Sequence, residues 1–211
     1  MNIKKLSTYA LMVGALVAVP GAVFAATTAN SQLTQQINAG VLSTSIRDAS
    51  GVVVGSPSFA MSAVSVSTAL QTSTGTFGTN SQRITADNPG ASNSGFTLTL
   101  ASTNGVSSTW VDGAKTYPYN AATAASGQLT INPSVATLTP TSPATSTGIT
   151  LGSSATYVSG TVNTITLLNA AAGSDDIWNG YITGVGVSQT IPAFTAAGNY
   201  TLDMTQTITA Q

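Results

Sequence analysis

The sequence predicts an all-β protein, an antiparallel β-sandwich of the Ig-like, Greek-key type, preceded by an N-terminal signal peptide helix. Apolar and polar residues alternate over residues 96–100 and 200–208, which is the period of a half-buried strand. Beyond residue 25 no window sustains the 3.6-residue period of a helix. Many short strand-like runs are separated by turn-forming residues, a spacing typical of sandwiches.

Residues 1–25 have the layout of a signal peptide. Lys4 and Lys5 precede an apolar run over residues 9–19, and Val23 and Ala25 stand where a signal peptidase reads small side chains. The apolar run is shorter than the roughly 20 residues of a spanning helix. We therefore expect cleavage after Ala25, secretion, and no stable membrane anchor afterwards. An uncleaved anchor is the alternative.

Residues 26–36 are polar and uncharged, and we interpret them as a flexible lead-in. The predicted sandwich domain covers residues 37–211. Its first strands are expected at residues 37–46, 58–68, 83–86 and 96–100, with a bulge or two-sided burial in the second of them.

A hairpin is predicted around Asp112 and Gly113, a dipeptide typical of type I′ turns. In that register Trp110 faces Lys115, so its ring and the ammonium are expected to pair, or to lie at a solvent-facing tip. Later strands are predicted at residues 127–138, interrupted by Pro133, and at 149–151, 157–158 and 161–168.

The chain is expected to end in a second hairpin. Val185, Val187, Gln189 and Ile191 form one run, and residues 200–208 form the other, with residues 192–198 between them. In the second run Gln206 occupies an apolar position, where a buried amide needs hydrogen-bond partners.

Composition excludes several functions. The chain has five Lys and Arg, two of them in residues 1–25, and it lacks the cationic cluster that a phosphate backbone requires, so no nucleic acid is expected. It contains no His, Cys or Glu, which removes the usual general base, the thiolate nucleophile and most metal ligands. We expect no enzyme, no cofactor and no metal site; Ca²⁺ at Asp175 and Asp176 is left open.

Two segments resemble a known family. Residues 84–88 (ITADN), followed by a Gly/Ser loop and residues 95–100 (GFTLTL), resemble the first signature of the WxL surface proteins of Gram-positive bacteria, in which "TD" precedes a G-W-x-L-x-V strand. Residues 191–208 (IPAFTAAGNYTLDMTQTI) are similar to the closing signature of that family. The resemblance implies a secreted sandwich that attaches non-covalently to peptidoglycan.

Both signature tryptophans are replaced. Phe96 stands at the first position with Leu98 as its partner, and Gln206 stands at the second with Ile208 as its partner. Together with Tyr200, these are the candidate binding positions that the resemblance implies. Packing in the core is the alternative role for the two Trp positions.

Aromatic side chains beside polar loops are typical of sugar-stacking sites, and Trp110, Trp178 and Tyr181 are candidates for it. A buried Trp at the start of a strand is an equal expectation for Trp178. The predicted function is non-covalent attachment to the cell wall, with peptidoglycan or other surface proteins as partners. The alternative is a structural subunit of a fibre or surface layer that self-associates by strand addition through the lead-in.

Overall fold

The computed structural model describes residues 31–90, 94–141, 143–174 and 177–211. The chain divides at Ile37, and Asn38–Gln211 is one compact unit. In the preceding unit, the described residues 31–37 are exposed and form neither helix nor strand. The predicted signal peptide helix and the first part of the lead-in lie outside the described residues.

The described part of Asn38–Gln211 is all-β and contains no α-helix. Three short 3₁₀ turns interrupt it, at Gly105–Ser107, Ala124–Ser126 and Pro133–Val135. The strands in chain order are β1 (Ser43–Arg47), β2 (Gln71–Phe77), β3 (Arg83–Asn88), β4 (Phe96–Ser102), β5 (Thr109–Asp112), β6 (Lys115–Pro118), β7 (Leu129–Asn132), β8 (Thr137–Pro140), β9 (Ile149–Leu151), β10 (Ala155–Thr156), β11 (Thr164–Ala170), β12 (Trp178–Thr183), β13 (Val185–Ile191) and β14 (Met204–Ala210).

These strands form three antiparallel sheets of four strands and one two-stranded hairpin, β5–β6. The orders are β1-β3-β12-β8, β10-β7-β13-β2 and β14-β4-β11-β9. In the first sheet β12 pairs with β3 and β8, and in the second β13 pairs with β2 and β7. Each of these strands in the first sheet is consecutive in the chain with its counterpart in the second: β3 with β2, β12 with β13, and β8 with β7. They are therefore two halves of one long, bent sheet.

The bend falls where the backbone needs glycine. Gly78 and Gly184 have φ of 81° and 79°, and the Gly184 N–H donates to the Gly78 carbonyl over 2.8 Å. β7 and β8 lie beside β13 and β12, and the chain between them is interrupted at the same level by the 3₁₀ turn that begins at Pro133, where the sequence predicts an interruption. A positive φ is readily available only to glycine, so these positions allow the sheet to turn.

The third sheet packs across the bent sheet, and the shared core makes the fold a β-sandwich. β4 shows the predicted alternation, since Phe96, Leu98 and Leu100 are at most 2% exposed. The Phe96 ring lies 5.8 Å from the ring of Trp178 on β12, and the Tyr157 hydroxyl donates to the Leu100 carbonyl over 2.7 Å. Burial of these faces excludes water from the core and stabilises the fold.

The predicted C-terminal hairpin is wrong. β13 pairs with β2 and β7 in the bent sheet, and β14 pairs with β4 in the other. The chain between them crosses from one sheet to the other, because the apolar faces of the two strands are buried from opposite sides of the core. β14 itself alternates as predicted but begins at Met204.

Two further predictions are corrected. Residues 58–68 are not a strand, and within the described part of the chain they take part in sheet pairing through one isolated bridge, from Met61 to Gly75. Val64 and Val66 stay 40% and 63% exposed, because no second layer covers this two-sided apolar pattern. In the β5–β6 hairpin, Asp112 pairs with Lys115, and of the two loop residues Gly113 has positive φ. This matches a type II′ turn, and it places Tyr117, not Lys115, opposite Trp110.

Candidate functional site

The two segments that resemble the WxL signatures lie side by side. β4 and β14 are antiparallel neighbours, with Ile208 opposite Leu98 and Gln206 opposite Leu100. Phe96 and Leu98 are 1% and 0% exposed, so they pack in the core and present no surface to an external ligand. Ile208 is half-buried on β14, which is an edge strand of its sheet.

Gln206 joins the edges of the two facing sheets. Its Nε2 donates a 2.8 Å hydrogen bond to Thr44 Oγ1 on β1, and Thr44 Oγ1 in turn donates to the Thr85 carbonyl over 2.7 Å. Its Oε1 is buried and has no hydrogen-bond partner among the described residues. The Gln206 amide, which occupies an apolar position in the sequence pattern, therefore has a hydrogen-bond partner for its nitrogen but none for its oxygen.

Beside Gln206 the sandwich opens into a cleft of about 640 Å³, which we call the inner cleft. One wall consists of residues 200–206, and the other includes Val53, Val54 and residues 57–59. The floor reaches Leu100, Leu129 and Ile131, which are among the core residues. The cleft thus gives access to the apolar interior of the sandwich.

An aromatic cluster borders this cleft. The rings of Trp110 and Tyr117 stack at 6.0 Å with 13° between their planes, and Tyr200 meets Tyr117 edge-on at 4.9 Å. Trp110 Nε1 donates to Gln189 Oε1 over 2.8 Å, and Gln189 Nε2 donates to the Thr190 carbonyl over 2.7 Å. Gln189 is 1% exposed, so this buried amide fixes the orientation of the indole.

Trp110 and Tyr200 also line a second depression of about 710 Å³, which we call the outer groove. Its walls are residues 59–67 and residues 195–201, and polar side chains of Gln71 and Ser73 contribute to its lining. A backbone hydrogen bond of 2.8 Å from the Phe194 N–H to the Ser67 carbonyl joins the two wall segments.

The wall at residues 195–201 is held from two sides. Lys115 Nζ donates to the Ala197 carbonyl over 2.7 Å, and Val111 and Thr201 exchange two backbone hydrogen bonds of 2.9 Å. Phe194 adopts φ of 62°, a conformation rare for a bulky residue, and its side chain is 75% exposed. The loop therefore has a defined shape, maintained at the expense of local backbone strain.

Tyr117, at the centre of the cluster, stays neutral well above physiological pH. Burial raises the pKa of Tyr117 to about 12, and the neighbouring Tyr200 adds to the shift. Burial likewise raises the pKa of Tyr119 and Tyr157 in the adjacent core. The aromatic surface is thus uncharged and offers ring faces and hydroxyl groups.

The other two candidate stacking residues lie elsewhere. Trp178 is 1% exposed and donates from Nε1 to the Thr145 carbonyl over 2.7 Å, so its ring has no free face for a sugar. Trp178 is instead the buried tryptophan at the start of a strand that the sequence equally predicts. Tyr181 is half-buried, and the Arg83 guanidinium lies 4.4 Å from its ring centroid. Trp110 alone of the three lines the inner cleft and the outer groove.

Tyr117 and Gln189 were missed as site residues by sequence reasoning, although signals for both exist. Gln189 stands in an apolar register of β13 as Gln206 does in β14, and both amides serve a neighbouring polar group. Placing the hairpin loop at Gly113 and Ala114 gives the Trp110–Tyr117 pair directly.

Within the described ranges, no group of three acidic, His or Cys side chains is placed to hold a metal ion. Asp175 and Asp176 lie outside those ranges. Among the residues described, no helix is long and apolar enough to cross a membrane.

Comparisons with family models, with curated proteins and with solved structures gave no match. The WxL resemblance therefore stays a prediction that depends on residues 84–100 and 191–208.

Proposed function

We propose that this chain is a secreted, non-catalytic surface protein that associates non-covalently with the cell wall, and that a wall glycan lies in the outer groove against Trp110 and Tyr200. The observation that supports the proposal most is the aromatic cluster held by Gln189. Sugar rings stack on aromatic faces, and neighbouring amides and hydroxyls hydrogen-bond to their hydroxyl groups.

Charge is consistent with a neutral polymer as ligand. Among the described residues, none that lines the groove is acidic or basic, and the nearby Lys115 is paired with Asp112 at 3.3 Å. One wall of the groove, residues 195–201, consists of small and polar residues together with Tyr200, and the other, residues 59–67, combines apolar side chains with serines. The resemblance of residues 84–100 and 191–208 to the WxL signatures agrees with this ligand class.

Sedimentation with purified peptidoglycan sacculi tests the proposal. The wild-type chain is expected to pellet with sacculi, and Trp110→Ala or Tyr200→Ala is expected to weaken binding about tenfold, since an aromatic stacking contact contributes about 1 to 1.5 kcal/mol. Tyr181→Ala is the matched control, because Tyr181 is an aromatic residue that lines neither the cleft nor the groove.

Two results would overturn the proposal. If the wild-type chain stays in solution with sacculi, attachment to peptidoglycan is wrong and another surface protein becomes the partner to seek. If Tyr181→Ala loses as much binding as Trp110→Ala, the groove is not the site. Circular dichroism of each variant ensures that a loss of binding is not a loss of fold.

A further inference from the structure

The chain carries an apolar strand-like segment that stays exposed. Leu33, Ile37 and Val41 are 96%, 87% and 81% exposed, and they are spaced by four residues. In an extended chain, where side chains alternate between faces, these three point to the same side, together with Gln35 and Ala39. Residues 33–41, which we call the donor segment, form no strand in the structure, but in an extended conformation they would present an uncovered apolar face.

The inner cleft has the complementary features. Its floor is apolar and reaches the core at Leu100, Leu129 and Ile131. Its wall at residues 200–206 runs into β14, whose side away from β4 pairs with no other described strand. A further strand can therefore hydrogen-bond to β14 while its apolar face enters the cleft.

Gln206 supplies the polar element of this fit. Gln206 lines the cleft, and its Oε1, which is buried, accepts no hydrogen bond within the described structure. An entering strand carries backbone N–H groups, which would satisfy this oxygen once the amide turns toward the cleft. Electrostatics add no barrier, because residues 31–42 are uncharged and, among the described residues, Asp203 is the one acidic or basic residue that lines the cleft.

The direction of the chain points to a neighbouring molecule as the source of the strand. Gly40 donates its N–H to the Pro89 carbonyl over 3.0 Å, and β1 then starts at Ser43 opposite Asp87. The residues of β1 that line the cleft are Thr44, Ser45 and Ile46, whereas Pro89, to which Gly40 is hydrogen-bonded, does not line it. Residues 40–42 therefore leave β1 toward Pro89, and the same chain would have to turn back to enter its own cleft.

We propose that the inner cleft binds the donor segment, residues 33–41, of a second copy of this chain. The contact is heterologous, since the donor of one copy meets the acceptor of the next, and such contacts repeat into rings or open filaments. The donor segment is placed in the inner cleft and the wall glycan in the outer groove, two depressions that share Trp110 and Tyr200 in their linings.

Light scattering of the purified chain over a range of concentrations is the first test. The wild-type mass is expected to rise to at least twice that of one chain, and Leu33→Ser/Ile37→Ser is expected to remain a single chain. Val135→Ser/Ile177→Ser is the matched control, because those residues are 62% and 67% exposed and line neither cleft nor groove. Equal loss of assembly in the control would indicate general surface adhesion and overturn the proposal.

Mixing variants tests the pairing directly. Met204→Asp places a carboxylate on the apolar wall of the cleft and removes the acceptor, while leaving the donor intact. Mixed with Leu33→Ser/Ile37→Ser, it is expected to give dimers of one copy each that do not grow further. Filaments or separate monomers in the mixture would contradict donor-to-cleft pairing.

Hydrogen exchange covers the case in which Met204→Asp fails to fold. In the wild-type chain, amides of residues 33–41 are expected to gain protection as concentration rises. Protection independent of concentration would show a segment bound within its own molecule, and no protection would show an unused segment; either result overturns the proposal. Leu33→Ser/Ile37→Ser is expected to keep wild-type sacculus binding, so failure of assembly and failure of wall attachment are distinguished.

Discussion

Gln206 Nε2 lies 2.8 Å from Thr44 Oγ1, and this hydrogen bond joins two residues 162 positions apart at the edges of the two facing sheets. Thr44→Val removes the acceptor and also the bond to the Thr85 carbonyl. We expect it to lower the free energy of unfolding by about 1 to 2 kcal/mol, because a half-buried amide then loses its last partner.

The matched variant is Gln206→Met, which replaces the amide by an apolar chain of similar length and removes the unpaired Oε1. It is expected to be neutral or stabilising, and Thr44→Val should cost less in its background than alone. Urea unfolding of the wild-type chain, the two single variants and the double variant measures this difference. Additive costs would mean that the hydrogen bond contributes nothing.

Replacing Gln206 by Trp restores the aromatic residue of the resembled signature. Gln206 lines the inner cleft and not the outer groove, so the expectation rests on the resemblance alone, which implies that an indole at this position increases sacculus binding several-fold. Gln206→Leu is the control, since it is apolar without a ring. Unchanged binding of Gln206→Trp would separate this position from wall attachment. The comparison is made in the Leu33→Ser/Ile37→Ser background, so that self-assembly does not contribute to pelleting.

Gln189→Leu should disturb the aromatic cluster. It leaves the Trp110 indole N–H without its acceptor in a buried setting, and we expect a loss of about 2 kcal/mol in the free energy of unfolding. The near-ultraviolet circular dichroism of the stacked Trp110 and Tyr117 should weaken at the same time. Gln71→Leu serves as a comparison, because Gln71 lies at the edge of the same sheet and is half-buried. A cluster spectrum that survives Gln189→Leu would show that stacking alone orients Trp110.

High pH should destabilise the fold in a defined window. The pKa of Tyr117 is raised from 10 to about 12 by burial, so the folded chain keeps a proton that the unfolded chain loses. The free energy of unfolding is therefore unaffected by this group below pH 10, and it falls by about 2 to 3 kcal/mol as the pH rises from 10 toward 12. Tyr119 and Tyr157, whose pKa values are also raised, act in the same direction.

Urea unfolding at several pH values from 8 to 12 measures this fall, and Tyr117→Phe should make it shallower because it removes one of the delayed titrations. Constant stability across the interval would contradict the burial of these hydroxyls.

Gly180 is placed against the Trp178 ring. A Cβ at this position would lie 2.5 Å from two atoms of the indole and 2.9 Å from the Thr139 carbonyl oxygen. Gly180→Ala must shift the ring or the strand, and we expect a cost of about 1 to 3 kcal/mol in thermal or urea unfolding. Gly55→Ala is the control, since nothing lies within 4 Å of its added methyl group. A harmless Gly180→Ala would mean that the Trp178 side of the core is loosely packed.

The sequence by itself determined the strand content. Alternation at residues 96–100 predicted β4, Pro133 predicted the interruption between β7 and β8, and the lack of helical periodicity excluded α-helices from the described part of the domain. These features are local, because side chains in a strand alternate at a period of two whatever the strand pairs with.

Only the tertiary structure decided which strands meet. β14 pairs with β4 about 100 residues away and not with β13, which precedes it in the chain, and this choice brings Gln206 to Thr44. Likewise, alternation alone could not tell that Trp178 is buried while Trp110 borders the cleft. The reason is physical: a strand carries its period in its own residues, but its partners and the side of the core it covers depend on how the whole set of apolar faces is buried together.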